Sequence, residues 1–136
     1  NVTAYDCVVC AAMDARCNQV YVALFRVNGG KVERLTEEEC LKTDEAARML
    51  SEYDDDIMLV GDGAFIMKKA TDNEGLENVK IAPDPLRYQT GYGVCLAAVN
   101  APQLTPEQLM PMYLKLPQAQ RELMAKNADA YKERKE

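Results

Sequence analysis

The stretch that most constrains this chain lies between residues 13 and 25, where an apolar run stops at a polar tip and restarts as a β-rich run. Residues 7–13 are apolar or small, and residues 20–27 carry the valines and aromatics that suit a half-buried pleated surface. Asp14 and Asn18 tolerate turn conformations. The pattern predicts a β-hairpin whose turn presents a carboxylate, a guanidinium and two amides.

The residues on either side extend this hairpin into a sheet. Asn28-Gly29-Gly30 is typical of a second hairpin turn, so the first forty residues are expected to form a three-stranded antiparallel meander. Thr43 is expected to cap a helix that runs to Tyr53. The continuous apolar run 57–60 indicates a strand covered on both faces, and it ends in Gly61-Asp62-Gly63.

The second half of the sequence predicts one more strand and then helices. Residues 79–83 form the strand, which Pro83 and Pro85 stop, and residues 86–100 suit a closely packed helix despite two glycines. A short helix is expected to open at Thr105, residues 112–116 to be extended or irregular, and a polar helix to begin at Pro117. The predicted fold class is α/β, a meander extended by parallel strands with packed helices.

Size and charge limit the classes of protein to consider. A chain of 136 residues fits one domain, which we divide into a lobe over residues 1–116 and a C-terminal helix or tail over residues 117–136. A net charge of -6 and a pI near 4.8 disfavour unaided binding of nucleic acid. No apolar run approaches the ~20 residues of a membrane span, so no membrane association is expected.

The cysteine count points to a reducing compartment. Five cysteines, an odd number, favour free thiols in the cytoplasm. Cys7 and Cys10 have the spacing of a zinc knuckle, but the predicted strand sends them to opposite faces and no second pair completes four ligands. We expect buried thiols and no metal site.

Histidine is missing from the sequence, which removes the commonest general base and a common metal ligand. Mechanisms that pair serine or cysteine with histidine, and the HExxH metal site, are therefore excluded. Ser51 is the only serine and has no base near it in sequence. We predict no catalytic residue, and an enzyme of this composition would depend on carboxylates, lysine or tyrosine.

Three features remain as candidate sites, each with a structural alternative. Gly61 and Gly63 bracket a loop after a buried strand, where α/β proteins often bind phosphate, although two glycines also permit a tight turn. Asp14 and Arg16 could hold a ligand or pair with each other. The acidic triplets 37–39 and 54–56 lack the alternation of a calcium loop and are read as solvated charge.

The hairpin sequence Met13-Asp14-Ala15-Arg16-x-Asn18-Gln19-Val20-Tyr21 closely resembles the signature of the TsaB family, also called YeaZ. Residues 59–63, 111–115 and 116–120 resemble later landmarks of the family. Cys17 departs from the pattern, since the family often has a second basic residue there. The signature residues, read as structural, are Asp14, Arg16, Asn18, Gln19, Tyr21 and Tyr113.

The resemblance implies a fold and a function. It implies the C-terminal lobe of a two-lobed, ribonuclease H-like protein of the actin-like ATPase superfamily, without the opening strand of the first lobe. Related nucleotide-binding proteins have a glycine beside the aspartate of this hairpin, and Ala15 and Arg16 replace it here. The lobe is therefore expected to bind no cofactor by itself, with ATP bound only in the intact multi-subunit complex.

The family is a non-catalytic subunit of the bacterial machinery that installs threonylcarbamoyl on adenosine 37 of tRNA. The partners so implied are a TsaD-like catalytic paralogue and a TsaE-like ATPase, with tRNA contacted only indirectly. Two other classes stay open. One is a nucleotide-binding enzyme lobe, since relatives carry a glycoprotease label, and the other is a self-associating module that forms a homodimer.

Overall fold

The structure is a computed structural model that describes residues 1–99, 101–115, 117 and 120. It is a mixed α/β fold around a six-stranded sheet with the strand order β3-β2-β1-β5-β6, and β4 pairs with β2 beside β3. The strands are β1 (Cys7–Asp14), β2 (Gln19–Asn28), β3 (Lys31–Arg34), β4 (Glu39–Lys42), β5 (Ile57–Val60) and β6 (Val79–Ile81). The helices are α1 (Thr43–Leu50), α2 (Ala64–Asn73), α3 (Asp84–Arg87) and α4 (Gly91–Val99).

The predicted meander is confirmed. β1 and β2 are antiparallel with Asp14 opposite Val20, and β2 and β3 are antiparallel with Asn28 opposite Lys31. β5 lies parallel to β1, and β6 lies parallel to β5, as the apolar runs predicted. The chain thus switches from hairpins to strand–helix–strand connections at α1, which is the mixed topology expected from the sequence.

The sequence analysis did not identify β4. Residues 39–42 pair with the first half of β2, while β3 pairs with its second half, so one ten-residue strand has two successive neighbours on the same side. The four residues of β4 include two charged side chains and follow two glutamates. A strand this short shows too little alternation to be recognised without its partner.

Three predicted helix features need correction. Thr43 does not cap α1 but lies in its first turn, and the backbone N–H of Lys42 donates to Glu45 Oε2 at 3.1 Å. The single helix predicted over residues 86–100 is two helices, because Tyr88 is extended between α3 and α4. At Thr105 only a turn forms, in which its carbonyl accepts from Gln108 N at 3.0 Å.

The two sides of the sheet are covered unequally. α1 and α2 cover one side, where Leu24, Leu50 and Leu59 are fully buried in the main core. The other side has a smaller cluster around Val9 and Val27, with Leu86 and other side chains packed on it. Cys10 faces the first cluster and Cys7 the second, which confirms that both thiols are buried on opposite faces of β1.

Two predictions fall on the C-terminal part of the chain. Residues 112–115 have no regular structure, as expected. The helix or tail predicted over residues 117–136 lies outside the described residues, apart from Pro117 and Gln120. None of the described helices combines the length and apolar composition that a membrane span requires.

Candidate functional site

The turn between β1 and β2 and the loop after β5 meet at one edge of the sheet. We call this the turn–loop site, formed by residues 14–18 and 61–63. Ala11 of β1 is paired with Val60 of β5 in the parallel ladder, so the carboxyl ends of the two strands lie side by side. This register brings together Asp14, Arg16, Gly61 and Gly63, which the sequence had suggested as separate candidates.

Backbone geometry fixes the turn itself. Arg16, Cys17 and Asn18 all have positive φ, at 63°, 54° and 56°, which is uncommon for residues other than glycine. Ala15 N donates to Gln19 O at 3.0 Å, and Gln19 N donates to Arg16 O at 3.1 Å. Thr43 N donates to Asn18 O at 3.0 Å, so the start of α1 supports the turn. Asn18 and Gln19 thus stabilise the turn through hydrogen bonds of their backbone groups.

Asp14 organises the charged groups of the turn. Its Oδ1 accepts from Arg16 N at 2.7 Å, and its Oδ2 lies 3.1 Å from Arg16 Nη1. The Arg16 side chain is 86% exposed, so an ion pair with it adds little to stability. Of the two alternatives from the sequence, the structure has Asp14 and Arg16 paired with each other.

The glycine loop packs directly on β1. A Cβ atom at Gly61, whose φ is +94°, would lie 2.0 Å from Ala12 O, and one at Gly63 would lie 3.0 Å from Ala12 C. Gly63 N donates to Ala12 O at 3.0 Å, and Gly61 N donates to Arg87 O at 2.8 Å. Both glycines are therefore needed for contact with protein backbone, and these two amides are already bonded.

Asp62 and Arg87 belong to the site although the sequence analysis did not single them out. Asp62 Oδ1 accepts from Asp14 N at 3.1 Å and ties the loop to the turn. Arg87 is 9% exposed, pairs with Asp84 at 2.8 Å, and stacks on the rings of Phe65 and Tyr88 at 4.5 and 4.8 Å. Its Nε has no partner among the described residues. In the sequence, the only indication of a role for Arg87 was its three-residue spacing from Asp84.

A segment from the far end of the chain completes the site. Lys115 Nζ donates to Ala15 O at 2.9 Å across a hundred residues of sequence. The two segments that resemble TsaB signatures, the hairpin and residues 111–115, are thus in contact. Tyr21 and Tyr113 line the same groove, although Tyr113 remains 84% exposed.

That groove runs over the less covered side of the sheet. We call it the sheet-face groove, with a cavity volume of about 670 Å³ between the sheet, α4 and residues 112–115. Its sheet wall is apolar and includes Ala11, Met13, Ala23, Phe25 and Val60. Polar groups lie mainly at its margins, among them Arg87, Thr90 and Glu38.

The chemistry available at the turn–loop site is limited. Within the part of the chain that the structure describes, no three metal-ligating side chains come close enough to hold a metal ion. Asp14 and Asp62 place two carboxylates beside the loop, which is unfavourable for phosphate. The pKa of Glu38, at the groove margin, is lowered by a backbone hydrogen bond and by Arg34.

Comparisons with known proteins give a fold and no family. No protein-family profile and no curated protein matches the sequence. A solved structure described as "an uncharacterized protein with similarity to peptidase YEAZ from Pseudomonas aeruginosa" matches with a TM-score of 0.51 and 20% identity. The match covers 79% of this chain and 49% of that one, so this chain spans about half its length. The chain therefore shares a fold with part of a YeaZ-like protein.

Proposed function

We propose that this chain is the C-terminal, ribonuclease H-like lobe of a TsaB-type protein of the actin-like ATPase superfamily. The observation that carries this proposal is the contact between the two signature-like segments, where Lys115 binds the hairpin carbonyl of Ala15 at 2.9 Å. The likeness to part of a YeaZ-like protein supports it. A resemblance to a family signature is stronger evidence when the residues that carry it form one site on the expected fold.

The proposed role is that of a non-catalytic subunit. The Gly61 and Gly63 amides are bonded within the protein, and β1 backbone fills the space that glycines would otherwise leave for phosphate. Asp14 and Asp62 add negative charge beside them. These contacts support a lobe that assists a TsaD-like paralogue and a TsaE-like ATPase in modifying adenosine 37, with tRNA reached only through them.

The decisive experiment is depletion of the gene that encodes this chain, followed by mass spectrometry of threonylcarbamoyladenosine in total tRNA. We expect the modification to fall with depletion and to return when the wild-type gene is restored. Unchanged modification after depletion would contradict the proposed function. As a second readout, the isolated 136-residue chain should bind a TsaD-like protein weakly or not at all, because the family's principal contact lies on the first lobe.

A nucleotide-binding lobe is the second candidate. The two carboxylates beside the start of α2 repel bare phosphate, but one or two carboxylates are the usual protein ligands of a magnesium ion that accompanies a nucleotide. Calorimetry with ATP and magnesium separates the two functions. The non-catalytic proposal expects no binding heat from this chain. A saturable heat of binding that the wild-type chain gives and the Asp14→Asn variant does not would support the nucleotide-binding candidate instead.

Self-association of this chain into a homodimer can be measured in parallel with nucleotide binding. Many large apolar side chains are exposed, including Tyr92, Val99, Leu109 and Met110. Exposed apolar surface of this kind can drive dimer formation. Sedimentation velocity at several concentrations distinguishes a monomer from the homodimer that the sequence analysis left open.

A further inference from the structure

The segment that contains α4 is far more apolar than the rest of the chain. Residues 89–114, which we call the strap, carry one charged side chain, Glu107, in a protein of which 28% is charged. Of the fourteen large apolar side chains exposed in the described part of the chain, nine lie in the strap, and no residue of α4 is buried. A helix that is apolar all round is normally buried. The strap therefore has the composition of a buried segment although it lies exposed.

The strap is held to the domain at its two ends. Just before it, the carbonyl of Arg87 accepts from the glycine loop at 2.8 Å, and just after it, Lys115 Nζ donates to Ala15 O at 2.9 Å. Between these points, within the described residues, one hydrogen bond links the strap to the rest of the chain, from Thr90 Oγ1 to Asn1 Oδ1 at 3.0 Å. A segment with so few contacts moves at low cost while its ends stay fixed.

One side of the strap faces the open side of the sheet across the sheet-face groove. Gly93, Val94 and Ala97 share one face of α4 and line the groove, and Met112 lines it further along the chain. The opposite wall is apolar sheet and includes Met13, which is 59% exposed. The cavity of about 670 Å³ between the two walls has room for roughly 20 waters. Bringing the walls together releases this water, which the hydrophobic effect favours.

The sheet is also the apolar surface that the strap meets most often. Because both ends of the strap are fixed beside the sheet, the effective concentration of one for the other is in the millimolar range or about that, which a second copy in dilute solution does not match. A membrane surface is a poorer partner, since the strap has no basic side chain and the whole chain has a net charge of -6.

We propose that the strap is a lid, which turns about its two fixed ends and closes onto the open side of the sheet. Val94 and Ala97 then pack on the sheet residues around Met13, and the sheet gains its second covering layer. The arrangement with an open groove is the minor state, and a molecule that binds in the groove must hold the strap away from the sheet. This inference does not depend on the proposed function, because it concerns only how the domain covers its own sheet.

Oxidation of native methionines by dilute hydrogen peroxide tests the closure. Met13 and Met112 line the groove and Met110 does not, yet all three are well exposed, at 59%, 69% and 77%. Peptide mass spectrometry of the full 136-residue chain gives each rate, which is divided by the rate for the same methionine in urea. We expect Met13 and Met112 to react at least about tenfold more slowly than Met110, because the open state is populated at about 10% or less.

A matched pair of valine substitutions provides the control. Val94→Glu places a carboxylate on the groove face of α4, whereas Val99→Glu places it on the opposite side, and both valines are exposed. Burial of an unpaired carboxylate is costly, so only Val94→Glu should return Met13 to the oxidation rate of Met110.

Three results would overturn the proposal. The first is equal oxidation of the three methionines in the wild-type chain, which means that the strap stays open. The second is protection of Met13 that Val94→Glu leaves unchanged, or that Val99→Glu removes equally well. The third is protection that appears only as protein concentration rises, in step with a dimer seen by sedimentation velocity, because a second copy then covers the groove.

Discussion

The two sides of the central sheet differ far more in their cover than in their composition. In β1, Val8 and Cys10 face α1 and α2 and are fully buried, while the alternate residues Val9 and Ala11 face the other side of the sheet, where Ala11 lines the sheet-face groove. On the helix-covered side Leu59 is fully buried, yet on the groove side Met13 is 59% exposed. Strands that are apolar on both faces are made for two covering layers, and the described residues supply one complete layer.

The turn–loop site lies at the carboxyl ends of β1 and β5. A substitution there should have the largest effect on the free energy of unfolding. Gly61→Ala places Cβ 2.0 Å from Ala12 O, so β5 and β1 must separate. We expect a loss of more than about 4 kcal/mol, which falls in the exceptional range for single substitutions. Urea denaturation followed by circular dichroism measures it.

Gly75→Ala is the matched control for that substitution. Gly75 also has positive φ, at 75°, but a Cβ there meets nothing within 4 Å. The change should cost only the conformational strain of about 1–2 kcal/mol. Similar losses for the two variants would show that contact with β1 contributes nothing beyond backbone conformation.

Two adjacent side chains of similar size in β5 compare the sides of the sheet. Leu59 faces the main core and is fully buried, and its neighbour Met58 faces the groove side and is partly buried. Leu59→Ala should cost about 3 kcal/mol, within the usual range for buried leucine. Met58→Ala should cost about 1 kcal/mol, less than half as much, because a partly buried side chain has less buried apolar area to lose.

The same denaturation experiment measures both variants. A cost for Met58→Ala equal to that for Leu59→Ala would mean that the groove side is as well packed as the other side in solution. That outcome would contradict the comparison between the two sides of the sheet.

The reactivity of the two thiols in β1 also tests the difference between the two sides of the sheet. Burial raises the pKa of Cys10 to about 12, and burial together with Asp56 and Asp6 raises the pKa of Cys7. Because the thiolate is the reactive form, neither should react with Ellman's reagent at pH 8 in the folded protein. The exposed Cys17 and Cys95 should react quickly. Cys7, on the less covered side, should react before Cys10 as urea is added.

The smallest expected effect is a pH dependence at the end of the sheet opposite the turn. Arg26 forms two hydrogen bonds with Asp55, at 2.6 and 2.9 Å, which lower the pKa of that carboxyl. The pair therefore stabilises the fold above the carboxyl's unfolded pKa of about 3.9, and this contribution is lost as pH falls through the lower folded value.

Melting temperatures between pH 7 and pH 3 test this for two variants. Asp55→Asn should lower the melting temperature at pH 7 and reduce its further fall on acidification. Asp54→Asn removes the same charge from an exposed neighbour and should leave the curve close to that of the wild type. Parallel curves for the wild type and Asp55→Asn would show that the ion pair contributes nothing to stability.

Local patterns were enough to predict the first three strands, β5, β6 and α1. The hairpin turns depended on residues such as Asn28, Gly29 and Gly30, whose conformational preferences are local. β4 was missed because four residues are recognisable as a strand only beside β2. The predicted helix over residues 86–100 failed because Tyr88 is extended after Arg87, whose carbonyl accepts from the glycine loop.

The candidate site was predictable in parts but not as a whole. Asp14, Arg16, Gly61 and Gly63 could be chosen from the sequence, since turn residues and glycines after a strand are visible there. Their contact depends on the parallel pairing of β1 with β5, and nothing in the sequence specifies that register. The carbonyl of Arg87 contacts Gly61 and the side chain of Lys115 contacts Ala15, both far away in the chain, so these two contacts could not be identified beforehand.

The sequence by itself determined the alternation of apolar residues, the positions of the turns and the chemistry that a chain without histidine lacks. Only the tertiary structure decided that the two glycines contact β1 backbone, and that one side of the sheet is covered by helices while the other is a groove. The physical reason is that secondary structure follows from near neighbours, whereas burial and close approach depend on contacts between distant segments.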